Sequence, residues 1–188
     1  MVKVWIAGLL AAGASSLAPA QGVLSVEFTG QATVLAGAKG TTSCGLRFVG
    51  VYGVPTDANT MVDTVDASVA FHQGGLTLVK AGHTTGRLAA GVEGQKFSGK
   101  QPSWIRVDGE KPILPLEGKV IPGEAAGYFL FGITSSEAVS FLRQVIDGKK
   151  AWVAFNAGKP SGLVFSGPIK LDAQVLDQFQ SCIDDLKR

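Results

Sequence analysis

The chain has few of the residues that most often carry out chemistry. Its 188 positions hold two histidines, His72 and His83, and two cysteines, Cys44 and Cys182. Hydrolysis by a serine or cysteine nucleophile needs a base beside it, usually histidine, and the chain has no G-x-S-x-G elbow. The two histidines flank the turn Gln73-Gly74-Gly75, with His72 beside the turn and His83 opposite Val65 or Asp66. About six residues of strand, on the order of 20 Å, separate them, so they cannot share one zinc ion within a protomer. An Asp66–His83 contact across the hairpin is expected as a surface ion pair. The glycine-rich stretches do not fill the gap. Gly37-Ala38-Lys39-Gly40-Thr41-Thr42 lacks the order of a phosphate loop, and Gly82 to Gly99 forms no G-x-G-x-x-G between strand and helix. The expectation is no enzyme, no catalytic residue, no metal and no cofactor. A hydrolase working through carboxylates alone stays open, because sequence spacing does not give spatial distance. Asp63 with Asp66, and Asp184-Asp185, read as solvated faces.

Charge of one sign is also scarce. Without Lys3 the chain carries 16 basic side chains against 15 acidic ones, a net charge of +1. The basic residues are scattered, and Lys149-Lys150 and Lys187-Arg188 are only pairs. Such a chain has no electrostatic reason to seek nucleic acid or anionic lipid.

Long apolar runs are absent except at the start. Lys3, the apolar stretch Val4 to Ala14 and Ala18-Pro19-Ala20 have the three parts of a secretory signal, predicted at residues 1–20. A run this short does not cross a hydrocarbon core that needs about 20 residues. No cysteine follows the expected cleavage site, which argues against a lipid anchor. Residues 21–188 then form a single domain, periplasmic or extracellular and without membrane insertion, long enough to bury a core. In an oxidising compartment the two cysteines favour a Cys44–Cys182 disulfide. Closing 138 positions is worth about 5 kcal/mol in the chain-entropy model. Two buried free thiols are the alternative.

What the chain does have is short strands between glycine and proline turns. Gln21 to Gly37 alternates, with Gly30 read as a bulge or break between two strands. Cys44 to Tyr52 and Val62 to Phe71 follow, and Gln73-Gly74-Gly75 turns into Leu76 to Ala81. Thr84 to Gly99 is weakly patterned and read as a mobile loop with one short strand. Trp104 to Val107 reads as a strand with a turn at Asp108-Gly109, continued by an irregular strand over Ile113 to Val120. Tyr128 to Ile133 reads as a strand buried on both faces. Thr134 to Glu137 has capping-box spacing before a helix with Ala138, Phe141, Leu142, Val145 and Ile146 on one stripe. Ala151 to Phe155 and Gly162 to Phe165 pair as a hairpin. Asp172 caps a final helix with Val175, Leu176, Phe179, Cys182, Ile183 and Leu186 on its stripe. The fold class is mostly β: an antiparallel sandwich or open barrel with two peripheral helices, and α+β character at the C-terminus.

The layout from Trp104 to Leu186 resembles the invasion-associated locus B proteins. It matches in its strand Trp104-Ile105-Arg106-Val107, a helix ending at Asp147-Gly148-Lys149-Lys150, the strand Ala151 to Phe155, and the Phe179-x-x-Cys182 helix. It lacks the several cysteines of many members. The resemblance implies an immunoglobulin-like sandwich and an exported, non-enzymatic envelope or host-interaction protein, with no catalytic residues to carry over.

Function is therefore expected to be binding of another protein in the bacterial envelope or outside the cell. The alternative is a secreted inhibitor or immunity-type protein that blocks an exported enzyme. Trp104 and Trp152 read as core residues in strands. The candidate interaction surface is the loop with Arg87, Lys96 and Phe97, joined by Trp104 if that ring is exposed.

Overall fold

A computed structural model describes residues 22–38, 40–53, 60–87 and 94–187. The predicted signal segment lies outside them. The elements are β1 (Val23–Ser25), β2 (Phe28–Gly37), β3 (Gly40–Tyr52), β4 (Met61–His72), β5 (Thr77–Arg87), β6 (Lys96–Phe97), β7 (Pro102–Val107), β8 (Ile121–Pro122), β9 (Tyr128–Gly132), α1 (Ser135–Ile146), β10 (Ala151–Phe155), β11 (Leu163–Gly167), β12 (Ile169–Lys170) and α2 (Ala173–Leu186). They form two sheets, neither closed into a barrel. The small sheet runs β1-β11-β10-β7; the large one runs β12-β2-β3-β4-β5-β9-β8, with β6 also on β5. The architecture is a β-sandwich with two helices.

Period-two alternation builds the core. In β3 and β4, Leu46, Phe48, Val65, Ala67 and Val69 point inward and are buried. They meet Ile105, Val107, Val153, Phe155 and Phe165 of the small sheet. The ring of Phe48 meets Phe28 edge-on at 5.4 Å and lies 6.1 Å from Phe141 of α1, so one aromatic cluster joins sheet and helix.

The sheets are joined at a corner where two chain segments cross side by side. β1 pairs with β11 in parallel, and β2 pairs with β12 in parallel. Between them, Val26 N–H donates to the Ser166 carbonyl and Phe28 N–H to the Pro168 carbonyl, both at 2.9 Å. A Cβ on Gly167 would lie 1.6 Å from the Val26 carbonyl oxygen, so only glycine lets the two backbones pass. The two parallel pairings depart from the purely antiparallel sandwich expected.

Several local expectations hold. Thr134 caps α1 with the reciprocal Glu137 contact of a capping box, and Gly148 follows the helix at φ 86°. Asp172 caps α2 by accepting the Val175 N–H at 2.8 Å. The β4–β5 hairpin turns through Gly74 and Gly75, both at positive φ. Cys182 reaches the inward-facing Cys44 and closes the disulfide, tying α2 to β3.

Others are corrected. The chain does not break at Gly30: β2 runs through it, and the break falls at Val26-Glu27, where the chain changes sheets. Gly30 serves close approach, since a Cβ there would meet Leu171 Cδ2 at 2.3 Å. Of the expected Thr84–Gly99 loop, Thr84 to Arg87 continues β5 and Lys96–Phe97 forms β6 on its edge; positions 88–93 lie outside the described residues. The polar residues there belong to a strand with one solvated face, and weak apolar alternation concealed it. Ile113 makes only one bridge, to Ile105, and a 3-10 turn at Leu116–Gly118 replaces the rest of that strand. Pro112 and Pro115 remove the donors a ladder needs. β9 is buried on one face: Tyr128 and Leu130 point outward while Phe131 points into the core. Ile146 ends α1 exposed, off the buried stripe.

The disulfide closes a separation of 138 residues. Cys44→Ser with Cys182→Ser should lower unfolding free energy by about 2–5 kcal/mol, read as a lower urea midpoint with a steeper slope, because the uncrosslinked unfolded chain exposes more surface. Dithiothreitol should lower the midpoint of the parent chain and leave the double variant unaffected.

Candidate functional site

The outer face of the large sheet carries two polar rows set by register. Arg47, Ser68, Lys80 and Leu130 lie opposite one another on β3, β4, β5 and β9, and the next row is Val49, Asp66, Gly82 and Tyr128. Asp66 and Tyr128 are thus two strands apart, roughly 10 Å at ordinary strand spacing. Gly82 lies between them and has no side chain, so the phenol lies across it and its hydroxyl donates to Asp66 Oδ2 at 2.5 Å. A Cβ at Gly82 would sit 2.9 Å from that ring.

Arg47, diagonal to Asp66, donates from Nε and one terminal nitrogen to the two carboxylate oxygens at 2.9 and 2.7 Å. This is the bidentate geometry in which arginine pairs most strongly. The hydrogen bond to Asp66 raises the Arg47 pKa further. Burial, then the Asp66 hydrogen bond, pushes Tyr128 up to about 12. The phenol therefore stays protonated as a fixed donor. Above the ring, Lys80 Nζ lies 4.6 Å from its centroid, and no carboxylate among the described residues reaches that ammonium within ion-pair distance.

Beside this charged end the sheet surface drops. The next row is Gly45, Ala70, Leu78 and Gly132; the small side chains of Ala70 and Ser68 form the floor, while Gly132 lies under Leu116. Longer side chains ring this floor: Leu35 of β2, Arg47, Lys80, Leu130 and, on the rim, Glu124. The result is an open groove of about 500 Å³, with walls more apolar than polar. Ligand sites commonly have that size and a few convergent polar groups. His72 lines the end opposite Asp66; its partial burial lowers its pKa.

Sequence reasoning missed a second polar cluster on the inner face. His83 faces the core, 2 % exposed, and lies 5.9 and 5.5 Å from the rings of Phe155 and Phe165. Its partner is Asp63, not Asp66: Nε2 lies 3.0 Å from Asp63 Oδ1, and Nδ1 lies 2.7 Å from Ser98 Oγ. Asp66 has the opposite parity on β4 and points to the other side of the sheet, whereas Asp63 shares the face of Val65. Ser98 Oγ also accepts the Lys100 N–H at 3.2 Å. One tautomer satisfies the whole set: Ser98 donates to Nδ1, and Nε2–H donates to Asp63.

Serine, histidine and aspartate are the members of a hydrolytic triad. Here the imidazole is packed against two phenyl rings and the serine oxygen already takes a backbone N–H. Together with Ser98 N–H donating to the His83 carbonyl at 3.0 Å, the cluster fastens the chain after β6 to the edge of β5.

The structure separates the residues expected to share one surface. Phe97 lies on the outer face and packs edge-on against Tyr128 at 5.2 Å, extending the groove's aromatic end. Lys96 and Arg87 are exposed at that sheet edge, facing Thr85 and Met61. Trp104 belongs to the small sheet and lies partly buried on its outer side, as does Trp152; the expectation of core placement is corrected for both. Their parity opposes that of Ile105 and Val153, which fill the core. No cluster of three or more potential metal ligands occurs among the described residues.

Two outcomes follow. Alkaline titration at 295 nm should show one tyrosine ionising only near pH 12, and Tyr128→Phe should delete that step while costing about 1–2 kcal/mol of stability through the lost charged hydrogen bond. Burial, the largest effect at His83, lowers its pKa from 6.5, so the unfolded state binds the proton more tightly. Stability is complete above the unfolded value and declines as pH falls through about 6.5 towards the folded pKa. Urea midpoints should fall between pH 7.5 and 5, and less steeply in His83→Gln, where His72 contributes the remaining slope of the same sign.

Comparison of the chain with known protein families, with curated proteins and with solved structures finds no match.

Proposed function

We propose that this protein is an exported, non-enzymatic binding protein of the bacterial envelope or extracellular space that holds another protein on the outer face of its large sheet. The groove over Ser68 and Ala70 carries this reading: an apolar depression beside a locked Arg47–Asp66–Tyr128 network and the Lys80 ammonium, which no described carboxylate neutralises. A surface intended only for solvent has no need of an arginine, a carboxylate and a phenol held in fixed geometry around a cavity. Fixed polar groups lower the ordering cost of association, and an apolar floor supplies the driving force.

The disulfide supports the exported setting, and no described helix is long and apolar enough to cross a membrane. Blocking an exported enzyme is one form such binding would take.

A photo-crosslinking residue at Ser68 should capture one discrete protein partner in the producing cell, and the same residue at Gln178 on the exposed side of α2 should not. Ala70→Trp fills the groove and should abolish capture while the thermal midpoint moves by only a few degrees. Equal capture at both positions, or none at Ser68, would overturn the reading.

A further inference from the structure

A second surface lies on the small sheet and does not depend on the groove. Arg106 of β7 faces outward between two indoles. Its guanidinium carbon lies 4.2 Å from the ring centroid of Trp152, its direct cross-strand neighbour, and 5.5 Å from that of Trp104 on its own strand. Cation–π contact of this kind holds the guanidinium over the indole rings without using its N–H donors.

Those donors have nothing to hold. Arg106 makes no hydrogen bond and no ion pair with any described residue. Its Nε is shielded from solvent without a partner, so the two terminal nitrogens are the donors a ligand can reach. Native proteins seldom leave such groups unsatisfied. The nearest carboxylate in sequence on that side, Asp108, accepts the Trp152 indole N–H at 3.2 Å instead. Asp108 thus holds one indole under the guanidinium without neutralising it by contact.

We propose that Trp104, Arg106 and Trp152 form a binding site for a carboxylate presented by an acidic peptide. A guanidinium offers two parallel N–H groups in one plane, which match the two oxygens of a planar carboxylate. The neighbouring Asp108 offsets part of the Arg106 charge. An anion carried on a hydrocarbon stem gains from the indoles what a bare phosphate does not. The flat indole faces beside the guanidinium supply apolar contact for the stem of a glutamate side chain.

The site reports on itself, since Trp5 is the only other tryptophan. In the full chain carrying Trp5→Phe, intrinsic fluorescence comes from Trp104 and Trp152 alone. Titration with N-acetyl-tetraglutamate amide should give a saturable change, and the tetraglutamine analogue should give none at tenfold higher concentration. Arg106→Gln should weaken binding at least tenfold. Arg106→Lys, which keeps charge but loses the fork, should weaken it several-fold. Asp108→Asn should tighten it by about threefold through removal of the competing charge. Circular dichroism identifies any variant that fails to fold; if Arg106→Gln does, the lysine and Asp108 variants decide. Unchanged affinity in the folded arginine variants, equal binding of tetraglutamine, or tighter binding of inorganic phosphate than of the peptide would each overturn the proposal.

Discussion

The corner at Val26 and Gly167 is the constraint on which the rest of the architecture depends. Two backbones change sheets there together, the Val26 and Phe28 N–H groups of one donating to the Ser166 and Pro168 carbonyls of the other. The Val26 carbonyl occupies the space that any side chain at position 167 would need. Because the crossing is shared, the edge strands β1 and β12 are each paired to a longer strand that has made the same turn, and the two sheets keep one relative position. Core packing then acts on a frame already defined: Phe28 begins β2 just past the corner, and Phe165 ends two residues before Gly167. The disulfide works at a distance from this joint, at the α2 face of β3.

With the inner faces used for packing, polar side chains sort by parity. Asp66 and Asp63 are three residues apart on one strand and serve opposite sides of the sheet. On the solvent side, Asp66 gathers Arg47 and Tyr128 across a glycine gap. On the buried side, Asp63 gathers His83, and through it Ser98. Both sets satisfy their members almost completely, which is what makes them tolerable in partly desolvated positions. They differ in what lies next to them. The first borders an open depression, the second two phenyl rings.

Much of this was legible in the residues. Thr134 with Glu137 and Asp172 announced both helices, Gly74-Gly75 announced the long hairpin, and two cysteines in a chain with an export-like start indicated the staple. The site was far less visible. Tyr128 lies two strands from Asp66 in space and 62 residues away in sequence. No local spacing encodes that distance, although Gly82 opposite an aromatic residue is the trace it leaves once register is known. The His83 partner was within reach of a stricter reading, since Val65 and His83 face the same side and only odd positions of β4 share it. Trp104 and Trp152 misled for a different reason. Their size argues for burial, while their parity places them outside with Arg106, and parity prevails wherever a strand has one buried face.

The parallel pairing of β1 with β11 joins residues 23–25 to 164–166, while β2 to β5 form a continuous run of antiparallel neighbours. The small sheet draws its strands from both ends of the chain and its middle, and joining β1 to the β10–β11 hairpin takes a very long loop closure. Such contacts form slowly, because their entropy must be met before any pairing rewards it. The four-stranded meander is complete by Arg87 and has everything it needs for early local pairing. Its inner face, from Leu46 to Val79, is covered only by strands that follow it in the chain, β7, β10 and β11 of the small sheet. A meander without that cover is half a sandwich with an open apolar surface, the kind of surface through which copies of a chain misassemble.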